Sequence, residues 1–122
     1  MKELKSFLHD GICPIRDILS RLGDKWSLLA LVTLNANGTM RFNEIKKSIG
    51  DISQRMLSVT LRSLEKDGIV IRKIYPEVPP RVEYNLTKSG ESLMFHLKNL
   101  IDWTLENEQS IIASREAYDD KE

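Results

Sequence analysis

Ile52-Ser53-Gln54-Arg55-Met56-Leu57-Ser58-Val59-Thr60-Leu61-Arg62-Ser63-Leu64-Glu65-Lys66-Asp67-Gly68 places two different faces on one helix. At about 100° per residue, Leu57, Leu61 and Leu64 fall within roughly 60° of one another, with Ser53 and Thr60 close by. That stripe is core. Arg55, Ser58, Val59, Arg62 and Lys66 cluster within roughly 100° on the opposite side. This outward face has three cations and no anion. A cap at Asp51 or Ser53 starts the helix, and Gly68 sits just past its end.

Upstream, Asn43 to Ile49 reads as a short helix with Ile45 and Ile49 inward, stopped by Gly50, so two helices are joined by a tight turn. Before it, Met40-Arg41-Phe42 is long enough only for a small strand, and Asn35-Ala36-Asn37-Gly38-Thr39 is a turn. Trp26, Leu28, Leu29, Ala30, Leu31, Val32 and Leu34 leave almost no polar face on a helix from Lys25 to about Asn35, capped by Asp24, which predicts a buried central helix. Pro14 to Gly23 is a shorter amphipathic helix with Ile15, Ile18, Leu19 and Leu22 on one stripe.

Downstream, Ile69-Val70-Ile71-Arg72-Lys73-Ile74-Tyr75 and Arg81-Val82-Glu83-Tyr84-Asn85-Leu86 are strand-like. The Pro76-Glu77-Val78-Pro79-Pro80 segment between them makes a stiff hairpin tip, because each proline fixes φ and removes a ladder donor. Thr87 caps a helical tract from Lys88 to about Ala117, with Leu93, Leu97, Leu100, Ile101, Leu105, Ile111 and Ile112 at spacings of three and four. A break is expected near Asn107, and Asp119-Asp120-Lys121-Glu122 reads as a solvated acidic tail.

The order is helix, helix, short strand, helix, tight turn, helix, hairpin, long helix. This predicts a mainly α (α+β) winged helix-turn-helix: one domain over residues 1–122, with the helix-turn-helix at about 43–67, the wing at about 69–86 and C-terminal dimerisation helices at about 87–117. A length of 122 residues suits one domain. With 41% hydrophobic and 30% charged residues, a disordered or collagenous chain is excluded. The longest uncharged apolar run, Trp26 to Leu34, is far short of the roughly 18 residues of a membrane span. The first ten residues lack an apolar h-region, so a cytoplasmic protein is expected.

Zero net charge argues weakly against a nucleic-acid partner, but its distribution does not. Residues 1–40, 41–81 and 82–122 carry +1, +4 and −5, so a basic middle is hidden by an acidic end. Side-chain chemistry on the fourth helix fits a major groove. Arginine suits the paired acceptors of guanine, Gln54 suits adenine, Ser58 suits either, and an outward Val59 meets a thymine methyl. Arg72, Lys73 and Arg81 are read as flanking the hairpin tip, within reach of phosphates or the minor groove. The candidate DNA-contacting set is therefore Arg41, Ser53, Gln54, Arg55, Ser58, Val59, Arg62, Lys66, Arg72, Lys73 and Arg81. A solvated basic face binding an acidic protein partner is the alternative.

Cys13 is the single cysteine, which excludes an internal disulfide and a multi-thiolate zinc site. Just before Pro14 it lies at a helix start, where the macrodipole favours a thiolate, with Arg16 or Lys25 adding to that; the plainer reading is a small, partly buried residue. His9, Cys13 and His96 would be the ligands of a metal-responsive variant, but Gly11 and Pro14 break the regular spacing and no metal is expected. No H-E-x-x-H, G-x-G-x-x-G, G-x-x-x-x-G-K-[ST] or C-x-x-C occurs, so neither an enzyme nor a cofactor is expected.

Five blocks resemble the HxlR-type branch of the MarR-like transcriptional regulators over about residues 11–105: Cys13-Pro14-Ile15, Leu22-Gly23-Asp24-Lys25-Trp26-Ser27, Arg41-Phe42-Asn43-Glu44-Ile45, Ile52-Ser53-Gln54-Arg55-Met56-Leu57, and Tyr75-Pro76-Glu77-Val78-Pro79-Pro80-Arg81-Val82-Glu83-Tyr84. The resemblance implies a homodimer on an inverted-repeat operator of double-stranded DNA. It also implies a sensing thiol at Cys13, responsive to a small electrophile or oxidant. Gly50-Asp51 stands where a proline and glycine often precede the recognition helix, a departure that bears on the turn's angle and leaves the helix intact. Dimerisation has a physical motive too, since the last helix and the first carry more apolar surface than the domain between them can cover.

Overall fold

The computed structural model describes residues 14–121; the expectations for His9 and Cys13 lie outside them. Helix α1 spans Pro14–Leu22, α2 Lys25–Asn37, α3 Phe42–Ile49, α4 Gln54–Lys66 and α5 Lys88–Lys121, with strands β1 at Met40–Arg41, β2 at Val70–Tyr75 and β3 at Arg81–Leu86. The winged helix-turn-helix order read from the sequence is the order observed. Two compact units divide the chain, one ending at Glu91 and the other beginning at Ser92.

In the first unit α2 is the central element, packing against both α3 and α4. Asp24 starts it by accepting the Ser27 N–H at 3.3 Å, and Ala30, Leu31 and Leu34 are buried to within 1% of complete exclusion. The helix runs two residues past the expected end, where the Asn37 amide donates to the Thr33 carbonyl at 2.9 Å and the glycine that follows ends it. Gly38 does so at φ +75°, its N–H reaching the Leu34 carbonyl at 2.8 Å.

Between α3 and α4 the turn is Gly50-Asp51-Ile52-Ser53. Gly50 adopts φ +95°, and Ile52 is 2% exposed, so the turn is anchored in the core rather than looped through solvent. Ser53, not Asp51, is the cap: its Oγ accepts the Met56 N–H at 3.0 Å. Leu57, Thr60, Leu61 and Leu64 are the buried residues of α4. Each of those leucines contributes about 1.5–3 kcal/mol by burial, which fixes the rotation of the helix about its axis. Ser53 itself is exposed.

The sheet is antiparallel in the order β1-β3-β2, with Val70 opposite Leu86, Arg72 opposite Tyr84, Lys73 opposite Glu83, and Tyr75 opposite Arg81. Met40 pairs with Tyr84 and Arg41 with Glu83 across the other edge. Thr87 forms the joint where the hairpin ends. Its hydroxyl donates to the Gly68 carbonyl at 2.6 Å and accepts the Gly90 N–H at 3.1 Å, while its own N–H bonds the Ile69 carbonyl at 3.0 Å. A single threonine therefore closes the base of the hairpin and starts α5.

At the other side of α4, Arg21 of α1 donates to Ser63 Oγ at 3.3 Å and faces the Asp67 carboxylate at 3.2 Å. The stripe of α1 stays open, with Ile18 and Leu19 about half exposed. Helix α5 is continuous, which corrects two expectations. No break occurs at Asn107, whose amide donates to the Trp103 carbonyl at 2.8 Å, and Asp119, Asp120 and Lys121 are helical rather than a tail. After Gly90 the tract contains neither glycine nor proline, and an asparagine costs less than about 0.7 kcal/mol relative to alanine, too little to interrupt it. No helix among the described residues is long and apolar enough to cross a membrane.

At Gly90 the start of α5 lies close against the hairpin: an added Cβ would run into the Ile69 carbonyl oxygen and the Leu86 side chain. Replacing Gly90 by alanine gains about 1 kcal/mol of helix propensity, but the carbonyl is held by Thr87 and cannot yield, at a cost of about 1–3 kcal/mol. Gly90→Ala is expected to lower the melting temperature. A variant melting at or above the wild-type temperature would show that the joint is looser than described.

Candidate nucleic-acid interface

With Leu57, Leu61 and Leu64 locked inward, the geometry of a 3.6-residue turn turns Arg55, Ser58, Val59, Arg62 and Lys66 outward, while Gln54 is exposed because it opens the helix. Gln54, Arg55, Ser58, Val59 and Arg62 line one open concavity of about 570 Å³. Val59 is 50% exposed, an apolar group left in water in the middle of a polar surface. Among the described residues, Arg55, Arg62 and Lys66 have no carboxylate within ion-pair distance. Their charge is available to an external anion.

The hairpin residues divide into two faces. Arg72 and Tyr84 share the face toward α4, and Lys73, Tyr75, Arg81 and Glu83 share the other. Arg72 and Lys73 lie partway down β2, two and three pairs from its base, so the expectation that they flank the tip is corrected by the register. Only Arg81, opposite Tyr75, stands at the tip. Its charge is already engaged. One guanidinium nitrogen is 3.4 Å from Glu77, Nε is 3.5 Å from Glu83, and the group lies over the Tyr75 ring at 4.1 Å. Arg41 precedes α3, with its backbone N–H bonded to the Glu44 carboxylate at 2.8 Å and its side chain exposed. His96 lies on α5 edge-on to Phe95, ring centroids 5.4 Å apart.

A narrower cleft of about 280 Å³ opens between α4 and the hairpin, lined by Ser58, Arg62, Glu65, Arg72 and Tyr84. Glu65 and Tyr84 were absent from the sequence-based set. Glu65 lies about 20° beyond the arc drawn through the outward residues, so a slightly wider arc would have found it. Tyr84 is recognised only from the strand register. The Arg72 Nε lies 3.4 Å from each Glu65 carboxylate oxygen, a partly exposed pair of at most about 1 kcal/mol. Burial holds the Tyr84 phenol above its ordinary pKa, with Arg72 opposing, Glu65 adding and Arg62 opposing. The hydroxyl is therefore a neutral donor at physiological pH.

The model of the HxlR-like helix-turn-helix family matches residues 21–111. The chain belongs to the HxlR-like helix-turn-helix family. It is a transcriptional regulator with the winged helix-turn-helix fold of that family. Among its relatives, an HTH-type transcriptional regulator of Methanothermobacter thermautotrophicus is 47% identical over 92 residues, which cover 75% of this chain and 70% of the relative. The solved structure of the regulator YtfH from Salmonella typhimurium superposes with a TM-score of 0.80 at 39% identity, covering 89% of this chain and 96% of that one. The redox regulator HypR in its oxidised form superposes with a TM-score of 0.66 at 41% identity, covering 78% and 97%. In HxlR-like terms, α3 and α4 are the helix-turn-helix and β2–β3 the wing.

Proposed function

We propose that this HxlR-like regulator binds a pseudo-palindromic DNA operator as a homodimer. The observation that supports this best is the outward face of α4, where Arg55, Arg62 and Lys66 lie among Gln54, Ser58 and an exposed Val59 with no carboxylate partner among the described residues. Through this face α4 reads base edges in the major groove. Gln54 and Arg55 lie toward its N-terminal end, the end that contacts bases in a helix-turn-helix. Ser53, Lys66, Arg41, Arg72 and Lys73 reach the sugar-phosphate backbone. Arg81 keeps the wing tip in shape through Tyr75, Glu77 and Glu83 and adds little free charge.

The homodimer is supported by apolar surface on α5. Leu100, Trp103 and Leu105 are each more than half exposed, as is Phe95, a density of large apolar groups that a partner would bury. A two-fold dimer sets two recognition helices about one turn of DNA apart. In this reading residues 1–122 act as one functional domain, the wing and helix-turn-helix on the operator and α5 in the dimer.

Cys13 directly precedes Pro14 in the sequence, and the last turn of α1 is tied to the end of α4 through Arg21, Ser63 and Asp67. In this reading, modification of the Cys13 thiol by an oxidant or small electrophile acts on operator binding through α1. The single cysteine restricts the chemistry to an intersubunit disulfide, a mixed disulfide or S-alkylation. Both half-sites must be met together, so a displacement of a few ångströms between them suffices to lose operator affinity.

Selection of bound duplexes from a random pool by the reduced protein is expected to enrich a two-fold symmetric motif with half-sites about 10–11 base pairs apart. Arg55→Glu combined with Arg62→Glu is expected to abolish that enrichment. Absence of enrichment by the wild type at moderate salt would overturn the operator reading in favour of a protein partner for the basic face. For the thiol, diamide is expected to release wild-type protein from the selected duplex and to leave the Cys13→Ser variant bound. Release of both would exclude Cys13 as the trigger.

A further inference from the structure

The cleft between α4 and the wing contains a carboxylate, an odd group to find on a surface meant for DNA. Its geometry explains its presence. Glu65 holds Arg72 through Nε alone, at 3.4 Å from both of its oxygens, and among the described residues neither terminal nitrogen of Arg72 has a partner. A guanidinium contacted at Nε leaves its four terminal N–H donors, coplanar by resonance, facing outward as the fork that matches paired phosphate oxygens. Around that fork stand the Arg62 side chain and the Ser58 and Tyr84 hydroxyls, which line the same cleft of about 280 Å³. Two cations and one anion leave a net single positive charge, with two neutral hydroxyl donors beside it. That set balances the one negative charge of a phosphodiester.

We infer that this cleft clamps one backbone phosphate of DNA between the recognition helix and the wing, and that Glu65 is a positioning residue that aims Arg72 at it. The inference rests on the DNA-binding reading above and adds to it two residues, Glu65 and Tyr84, and a division of labour. Arg72 and Arg62 carry the charge, Ser58 and Tyr84 donate hydrogen bonds, and Glu65 acts only through Arg72. Because Tyr84 is paired with Arg72 in the strand register, both come to the phosphate with the wing as one rigid unit. The clamp therefore couples the wing's position to that of α4. Protein and phosphate meet without reading sequence, so the contact forms on any duplex.

The test uses the full-length protein and a fluorescein-labelled mixed-sequence duplex of about three helical turns, with affinity measured over a range of salt. Arg72→Gln is expected to weaken binding about tenfold and to lower the slope of log affinity against log salt by about 0.9 for each protomer bound. Tyr84→Phe is expected to weaken binding without altering that slope, because a neutral donor displaces no counterion. Glu65→Ala is expected to weaken binding although it removes an anion from a DNA-facing surface. Glu65→Gln, whose amide oxygen still accepts from Arg72 Nε, is expected to restore part of the loss. In an Arg72→Gln background Glu65→Ala is expected to cause no weakening. If Glu65→Ala binds as well as or more tightly than wild type, or if its loss persists without Arg72, Glu65 does not position Arg72 and the inference falls. If the wild type binds neither this duplex nor any selected one, the DNA-binding reading itself falls, and the clamp with it. Circular dichroism melting of each variant separates a lost fold from a lost contact.

Discussion

The leucine stripe of α4 is the constraint on which the rest depends. Leu57, Leu61 and Leu64 are 0–2% exposed and pack with α2, and a helix held by three residues on one side has no freedom to rotate. The rotation decides everything on the other side. Arg55, Ser58, Val59, Arg62 and Lys66 point outward because the leucines point inward, and a shift of even one residue in the helical phase would carry an arginine toward the core, where an unpaired charge is prohibitively costly. Hydrophobic burial thus sets the presentation of charge without any polar contact specifying it.

Holding the helix in phase is not sufficient; its neighbours must be placed against it. Ser53 fixes where α4 begins, Ile52 roots the turn that precedes it, and Arg21 ties its last turn to α1 through Ser63 and Asp67. On the wing side Thr87 binds the end of β3 to the Gly68 and Ile69 carbonyls that follow α4. The close approach of Gly90 to the Ile69 carbonyl keeps the start of α5 against this joint. The recognition helix and the wing are therefore connected at the base by backbone hydrogen bonds and across the cleft by Glu65 and Arg72. The two elements that would meet DNA are held as one framework, and the first lies under a direct tie from α1.

How much of this can be read from the chain follows from which physical rules act locally. The two faces of α4 were legible because helical period is a fixed geometry, and the order of elements was legible because caps, glycines and the proline-rich tip punctuate it. Three things were not. The register that sets Tyr84 opposite Arg72 depends on how the Pro76–Pro80 tip folds, so neither the pairing nor the position of Arg72 below the tip could be counted out. The engagement of Arg81 by Glu77 and Glu83 across the tip is a tertiary arrangement that composition does not reveal. Asn107 reads as a breaker by residue type, yet with no glycine or proline after Gly90 its small penalty is outweighed by the helix on both sides. Glu65 lies on α4 just past Ser58, the edge of the outward arc, and an anion there does not fit a pattern of cations and neutral groups.

In the proposed complex α4 and the α4-facing side of the wing form one DNA-binding surface, while the tip arginine is structural. Arginine Nε–Hε resonances of the isotopically labelled protein, followed during titration with the selected duplex, test it most directly. The side-chain signals of Arg55, Arg62 and Arg72 are expected to move together to saturation, while those of Arg81 and of Arg115 on α5 stay in place. Saturating DNA that leaves Arg55 and Arg62 unmoved would contradict the account, because it would mean that the nucleic acid meets some surface other than the one the leucine stripe turns outward.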